Sequence, residues 1–167
     1  MTLSELNIAP LKEVKEALLK CCGSTYWAKN VFDARPFESR SDLIKKSDMS
    51  WSICSNVDAL EAFSHHPKIG SVANLEKKFA STAHWAKNEQ QSVKEATFET
   101  IKKLAKGNKE YEDKFGYIFI VFASGKSAEE MLALLEMRLK NDPEEEILIA
   151  MQEQNKITKL RLEKLLE

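Results

Sequence analysis

A chain of 167 residues suits a single domain and is long enough to bury a sizeable core without disulfides or metal. Its formal net charge of -1, with both signs interspersed, offers no electrostatic footprint for nucleic acid or an anionic membrane surface. Cys21, Cys22 and Cys54 are odd in number and lack Cys-x-x-Cys spacing, and no segment reads as a secretion signal or a bilayer span, so a soluble cytoplasmic protein with reduced thiols is expected.

Glycine and proline fall at breaks between periodic segments, which leaves room mostly for helices. Pro10 opens a helix through Leu11, Val14 and Leu18 that Gly23 can end in a left-handed cap. Ser24 caps a short helix carrying Trp27 and Val31, Ser41 starts another with Leu43 and Ile44, and Asn56 starts one that ends at His65 or His66. A long helix runs from His84 to Lys106 and is closed by Gly107, with Asn108 beginning a short one that ends at Phe115-Gly116. Tyr117 to Ala123 is continuously apolar, and periodicity cannot distinguish strand from buried helix there. With no second strand candidate, a buried extended segment lining a pocket is one reading and plain core filler the other. Ser127 with Glu130 forms a capping box ahead of Met131 and Leu135, and Pro143 opens the last helix. The fold expected is all-α, one multi-helix domain over residues 1–167 with a buried extended segment near 117–123.

The chemistry concentrates at His65-His66-Pro67-Lys68-Ile69-Gly70. Proline disfavours helix in the residue before it, so His66 should lie near a helix C-terminus, where unpaired carbonyls favour imidazolium and raise its pKa. Taken alone, the pair reads more readily as an ordinary helix end. On a helical wheel, however, Glu89 falls inside the apolar arc of Trp85, Val93 and Ala96, and Gln90 falls between Leu104 and Ile101. A carboxylate turned toward a core is costly unless it is paired or functional. Arg161 likewise lies within the arc of Ile147, Met151, Leu162 and Leu165 and needs an anion, either Glu89 or a substrate carboxylate. Arg138 is a weaker competitor.

Trp27 with Ala34-Arg35-Pro36-Phe37, His66-Pro67-Lys68-Ile69-Gly70, Trp85 with Glu89-Gln90, Asn108 with Tyr111 and Phe115-Gly116, and Lys159-Leu160-Arg161-Leu162 occur in order along nearly the whole chain. In that combination the sequence resembles the 2-oxo-4-hydroxy-4-carboxy-5-ureidoimidazoline (OHCU) decarboxylases. The resemblance implies a helical fold, commonly a homodimer, that acts without cofactor or metal in urate degradation, releasing carbon dioxide to give (S)-allantoin. It implies His66 as proton donor, with Glu89 and Arg161 as the other catalytic residues. Pro67 would pack on the substrate ring, and Ala86, Lys87, Asn88, Glu89 and Gln90 would contact the substrate. Ile118, Phe119, Ile120, Val121 and Phe122 would offer it backbone groups. Ala86 stands where many relatives have serine, so a hydroxyl contact is lost or passes to Ser81 or Thr82, and Lys68 stands where arginine is frequent. Two rival readings remain at this stage. A non-catalytic helical interaction module explains the amphipathic helices but not the inward Glu89 and Arg161, and a metal site on His65, His66 and His84 lacks ligand spacing.

Overall fold

A threonine opens the first helix: Thr2 accepts the Glu5 amide while Glu5 reaches back to the Thr2 amide, a capping box for α1 (Leu3–Ile8). The computed structural model describes residues 1–68, 72–79 and 90–167, and of residues 90–96 only the backbone. Among these residues every regular element is an α-helix. Two compact units are distinguished, one of residues 1–66, 120–122 and 147–167, the other of 67–119 and 123–146.

In the first unit α1 is followed by α2 (Leu11–Cys21), α3 (Thr25–Asp33), α4 (Arg40–Ser52) and α5 (Asn56–Ser64), with most of α9 (Pro143–Leu165). Ser24, Ser39 and Ser55 cap α3, α4 and α5, each accepting the amide three residues on. Such a cap contributes about 1 kcal/mol. Ser39 therefore starts α4 two residues ahead of the expected Ser41. Leu6, Val14, Leu18, Trp27, Leu43, Phe63 and Leu162 are fully buried or nearly so. Among the described residues the two buried indoles find partners, Trp27 Nε1 donating to the Ser47 carbonyl at 3.3 Å and Trp51 Nε1 to that of Met151 at 3.0 Å.

The motif around Arg35 serves this packing. Its guanidinium donates to the carbonyls of Leu6, Asn7 and Ala9 at the end of α1 and lies 3.6 Å from the centre of the Phe32 ring. Asn7 brackets Phe37, donating to its carbonyl at 2.9 Å and accepting its amide at 2.8 Å.

The second unit holds α6 (Val72–Phe79), α7 (Gln90–Phe115), α8 (Ala128–Arg138) and the first turn of α9. The break expected at Gly107 does not occur, since α7 runs through it to Phe115. The glycine answers a packing demand, because a Cβ there would meet Leu135 Cδ2 at 2.6 Å. Termination falls to Gly116, whose φ of +82° carries the chain out of the helix with its amide on the Glu112 carbonyl. Gly23 also differs from expectation: α2 ends on an extended Cys22, and Gly23 does not adopt positive φ.

Candidate active site

Helix α5 ends as the proline rule requires, with His65 as its C-cap. The His65 ring Nδ1 donates to the Glu61 carbonyl at 2.9 Å, and the ring lies so close to Gly23 that a Cβ there would meet it at 2.4 to 2.5 Å. Gly23 is thus a contact glycine for His65. The histidine's duty is structural: it collects a helix-end carbonyl and packs across the start of α3.

His66 turns the other way. It is half-buried, with Nε2 2.6 Å from Gln154 Oε1 of α9. Gln154 is fully buried, and its Nε2 donates to Thr158 Oγ1 at 3.2 Å, while that hydroxyl donates to the Gln154 main-chain carbonyl at 3.0 Å. Burial drives the imidazole pKa below its ordinary value. Gln154 opposes that shift, while Arg161 and His65 add to it. The upward shift expected from a helix C-terminus is overturned, because loss of hydration and a nearby guanidinium outweigh a partial dipole charge.

Arg161 is half-buried on α9, where Nη1 donates to the carbonyl of Cys21, the last residue of α2, at 3.4 Å. The competitor Arg138 is committed elsewhere. Buried at 5% exposure, it donates through Nε to Glu146 Oε1 at 2.7 Å and pairs through Nη2 with the same oxygen at 2.6 Å. Glu146 also accepts from Tyr111 Oη at 2.5 Å and Asn141 Nδ2 at 2.9 Å.

The segment expected to be extended is neither helix nor strand from Ile118 to Ala123. Tyr117 and Ile120 are buried, and Ile118, Phe119, Val121 and Phe122 are half-buried. The Phe122 amide donates to Glu153 Oε2 at 2.7 Å, so a carboxylate of α9 holds one of the backbone groups whose partners were in question. Pro67 and Lys68 are exposed, and Lys68 pairs with Glu112 at 2.6 Å. Ala86, Lys87, Asn88 and Glu89 lie outside the described residues, as do Ser81, Thr82, His84 and Trp85 and the side chain of Gln90.

Gln154, Thr158 and Glu153 were missed by the sequence reading. The signal was present: Glu146, Ala150, Gln154, Thr158, Leu162 and Leu166 recur every four residues, and all are buried. Because half of that row is polar, a search for an apolar arc kept Leu162 and passed over Glu146, Gln154 and Thr158. Around this row the thiols are poor nucleophiles, burial pushing Cys21 and Cys22 up to about 11. Among the described residues no group of three or more His, Cys, Asp or Glu side chains is placed to hold a metal ion.

The arrangement offers a protected, neutral imidazole with one nitrogen engaged and a cation close by, which suits moving a proton on or off an anionic molecule. The family model for OHCU decarboxylase matches residues 7–163. A uric acid degradation bifunctional protein of Arabidopsis thaliana is 36% identical over 147 residues, 87% of this chain and 45% of that protein, so the chain spans less than half of that relative's length. An OHCU decarboxylase of Halalkalicoccus jeotgali is 28% identical over 170 residues, covering 99% of this chain and 92% of that one. The crystal structure of an OHCU decarboxylase in the presence of (S)-allantoin is similar with a TM-score of 0.72 at 35% identity, over 91% of this chain and 97% of the other.

Proposed function

Because the chain belongs to the OHCU decarboxylase family, we propose that it removes carbon dioxide from OHCU to give (S)-allantoin in urate degradation, with His66 as the proton carrier. What carries the reading is the half-buried His66 on Gln154, set beside Arg161 within a family match that spans nearly the whole chain.

The substrate carboxylate sits on a ring carbon next to a C=N bond, which can accept the electron pair left when carbon dioxide departs. No cofactor is then required. A proton must arrive at a ring carbon from one face, and positioned acid catalysis of this kind contributes about 10² to 10⁴ in rate. His66 delivers it. At rest the ring is held toward neutrality, so it must collect the proton it later gives. Arg161 holds an anionic or carbonyl group of the substrate. Glu89 orients His66 or binds ring and ureido N–H groups, Gln90 adds amide bonds, Pro67 packs on the ring, and the backbone of 118–122 lines the site together with Ala86, Lys87 and Asn88. The chain acts as one domain and a homodimer in the cytoplasm; among the described residues no helix is long and apolar enough to cross a membrane.

Freshly generated OHCU should decay to optically active allantoin faster with the protein present, without added metal or nucleotide. His66→Asn should lose about 10²-fold or more of that acceleration, while His65→Asn keeps most of it. An unchanged decay rate with the wild-type chain would sink the reading, and the reverse order of the two variants would move the proton carrier to His65.

A further inference from the structure

We propose that Gln154, oriented by Thr158, is a positioning residue that fixes which nitrogen of His66 handles the proton. The inference deepens the reading of His66 given above and rests on it for its catalytic meaning. Its structural content stands on hydrogen bonding alone.

An amide side chain can present either end to a neighbour, so the chain of bonds beyond it decides. The Thr158 hydroxyl has its hydrogen directed at the Gln154 main-chain carbonyl, 3.0 Å away. That direction leaves an oxygen lone pair facing the Gln154 amide, which donates to it through Nε2 at 3.2 Å. The amide is thereby turned so that Oε1 meets His66 Nε2 at 2.6 Å, a separation suited to N–H and oxygen rather than to two nitrogens. A carbonyl oxygen only accepts, so His66 Nε2 carries a hydrogen in both the neutral and the charged ring. Nδ1 is then the nitrogen with the lone pair when the ring is neutral and with the mobile proton when it is charged. Every proton His66 takes or gives passes through Nδ1.

Gln154 and Thr158 are at 0% and 2% exposure, so water does not compete for these bonds. Among the described residues, the groups whose charge or polarity bears on the ring are Gln154 and Arg161 from α9 and His65 from the end of α5. Of these only Gln154 offers Nε2 an acceptor, which makes its amide the element that selects the tautomer.

The test reads the tautomer directly and needs no substrate. In long-range proton–nitrogen spectra of the full chain labelled with 15N-histidine, His66 above its titration should show its hydrogen on Nε2. The three histidines are separated by comparison with His65→Asn and His66→Asn. Thr158→Val, which keeps the volume and removes the hydroxyl, should release the amide and give a mixture of tautomers. It should also lower kcat by about tenfold or more with KM little changed, because the wrong tautomer forfeits acid–base catalysis. Thr158→Ser should restore both readouts, and Gln154→Glu, which offers a charged acceptor, should raise the His66 titration midpoint in the same spectra. A wild-type His66 carrying its hydrogen on Nδ1 would overturn the proposal, as would a Thr158→Val spectrum identical to wild type. If the wild-type protein left OHCU decay unchanged, the functional reading would fail while the spectra still judged the tautomer.

Discussion

A half-buried imidazole beside a guanidinium is easier to keep neutral than to charge, and His66 has both conditions imposed on it. The consequence is a link between pH and folding. Below about 6.5 the unfolded chain takes up a proton on His66 that the folded chain resists, so this residue's contribution is fully present above that pH and is lost as pH falls toward the depressed folded value. Urea midpoints measured from pH 8 down to pH 5 should therefore drop more steeply for the wild-type chain than for His66→Asn. Parallel curves would mean that the ring is not held neutral by the fold. Its neighbour shows why adjacency in sequence says little about role. The His65 ring is satisfied by the Glu61 carbonyl and wedged at Gly23, while the His66 ring is turned to Gln154. The proline rule located both residues at a helix end, but only the partners reveal which one faces a relay of buried polar groups.

Helices whose ends carry side-chain caps were legible from the sequence, because one serine placed before a periodic run satisfies a specific amide: Ser24 and Ser127 accept as expected. Gly107 misled for a physical reason. A glycine inside a helical pattern can end the helix or admit a neighbour, and only Leu135 from α8 distinguishes the two. The polar row of α9 was hidden by the same logic, since a buried glutamate or glutamine looks like a solvated one until its partner is known. Glu146 is the sharpest case. Its carboxylate, at 0% exposure, gathers Arg138, Tyr111 and Asn141 and so ties α7, α8 and the start of α9 within one unit. Arg138→Met should cost about 3 to 5 kcal/mol in urea unfolding, because it leaves that carboxylate buried without its cation. Adding Glu146→Leu should recover a substantial part of the loss, since removing both charges removes the uncompensated one. A single variant as stable as wild type would place this pair at the protein surface in solution.

At the scale of the whole molecule, the ordered motifs identified the family, yet several of them carry structure rather than chemistry. Arg35 gathers the carbonyls that end α1, and Tyr111 lies on Glu146, so neither motif is spent on His66. Assembly is the property least accessible to such patterns, because an interface is made of residues that look merely exposed. The first unit displays Met49 at 61%, Ile53 at 60% and Val57 at 76% exposure, three apolar side chains within nine residues of chain. Scattered apolar residues are ordinary on a monomer, whereas a run of this kind fits a surface that is covered on association. If the chain forms the proposed homodimer, sedimentation equilibrium should return twice its 19.0 kDa mass at micromolar concentration. Val57→Lys should then shift the protein toward the single-chain mass while its helical signal persists, because a charge at an exposed position costs little in the isolated chain and much within an apolar contact. A single-chain mass for the wild type at all concentrations would remove the dimer. A double mass that survives Val57→Lys would move the interface to another face.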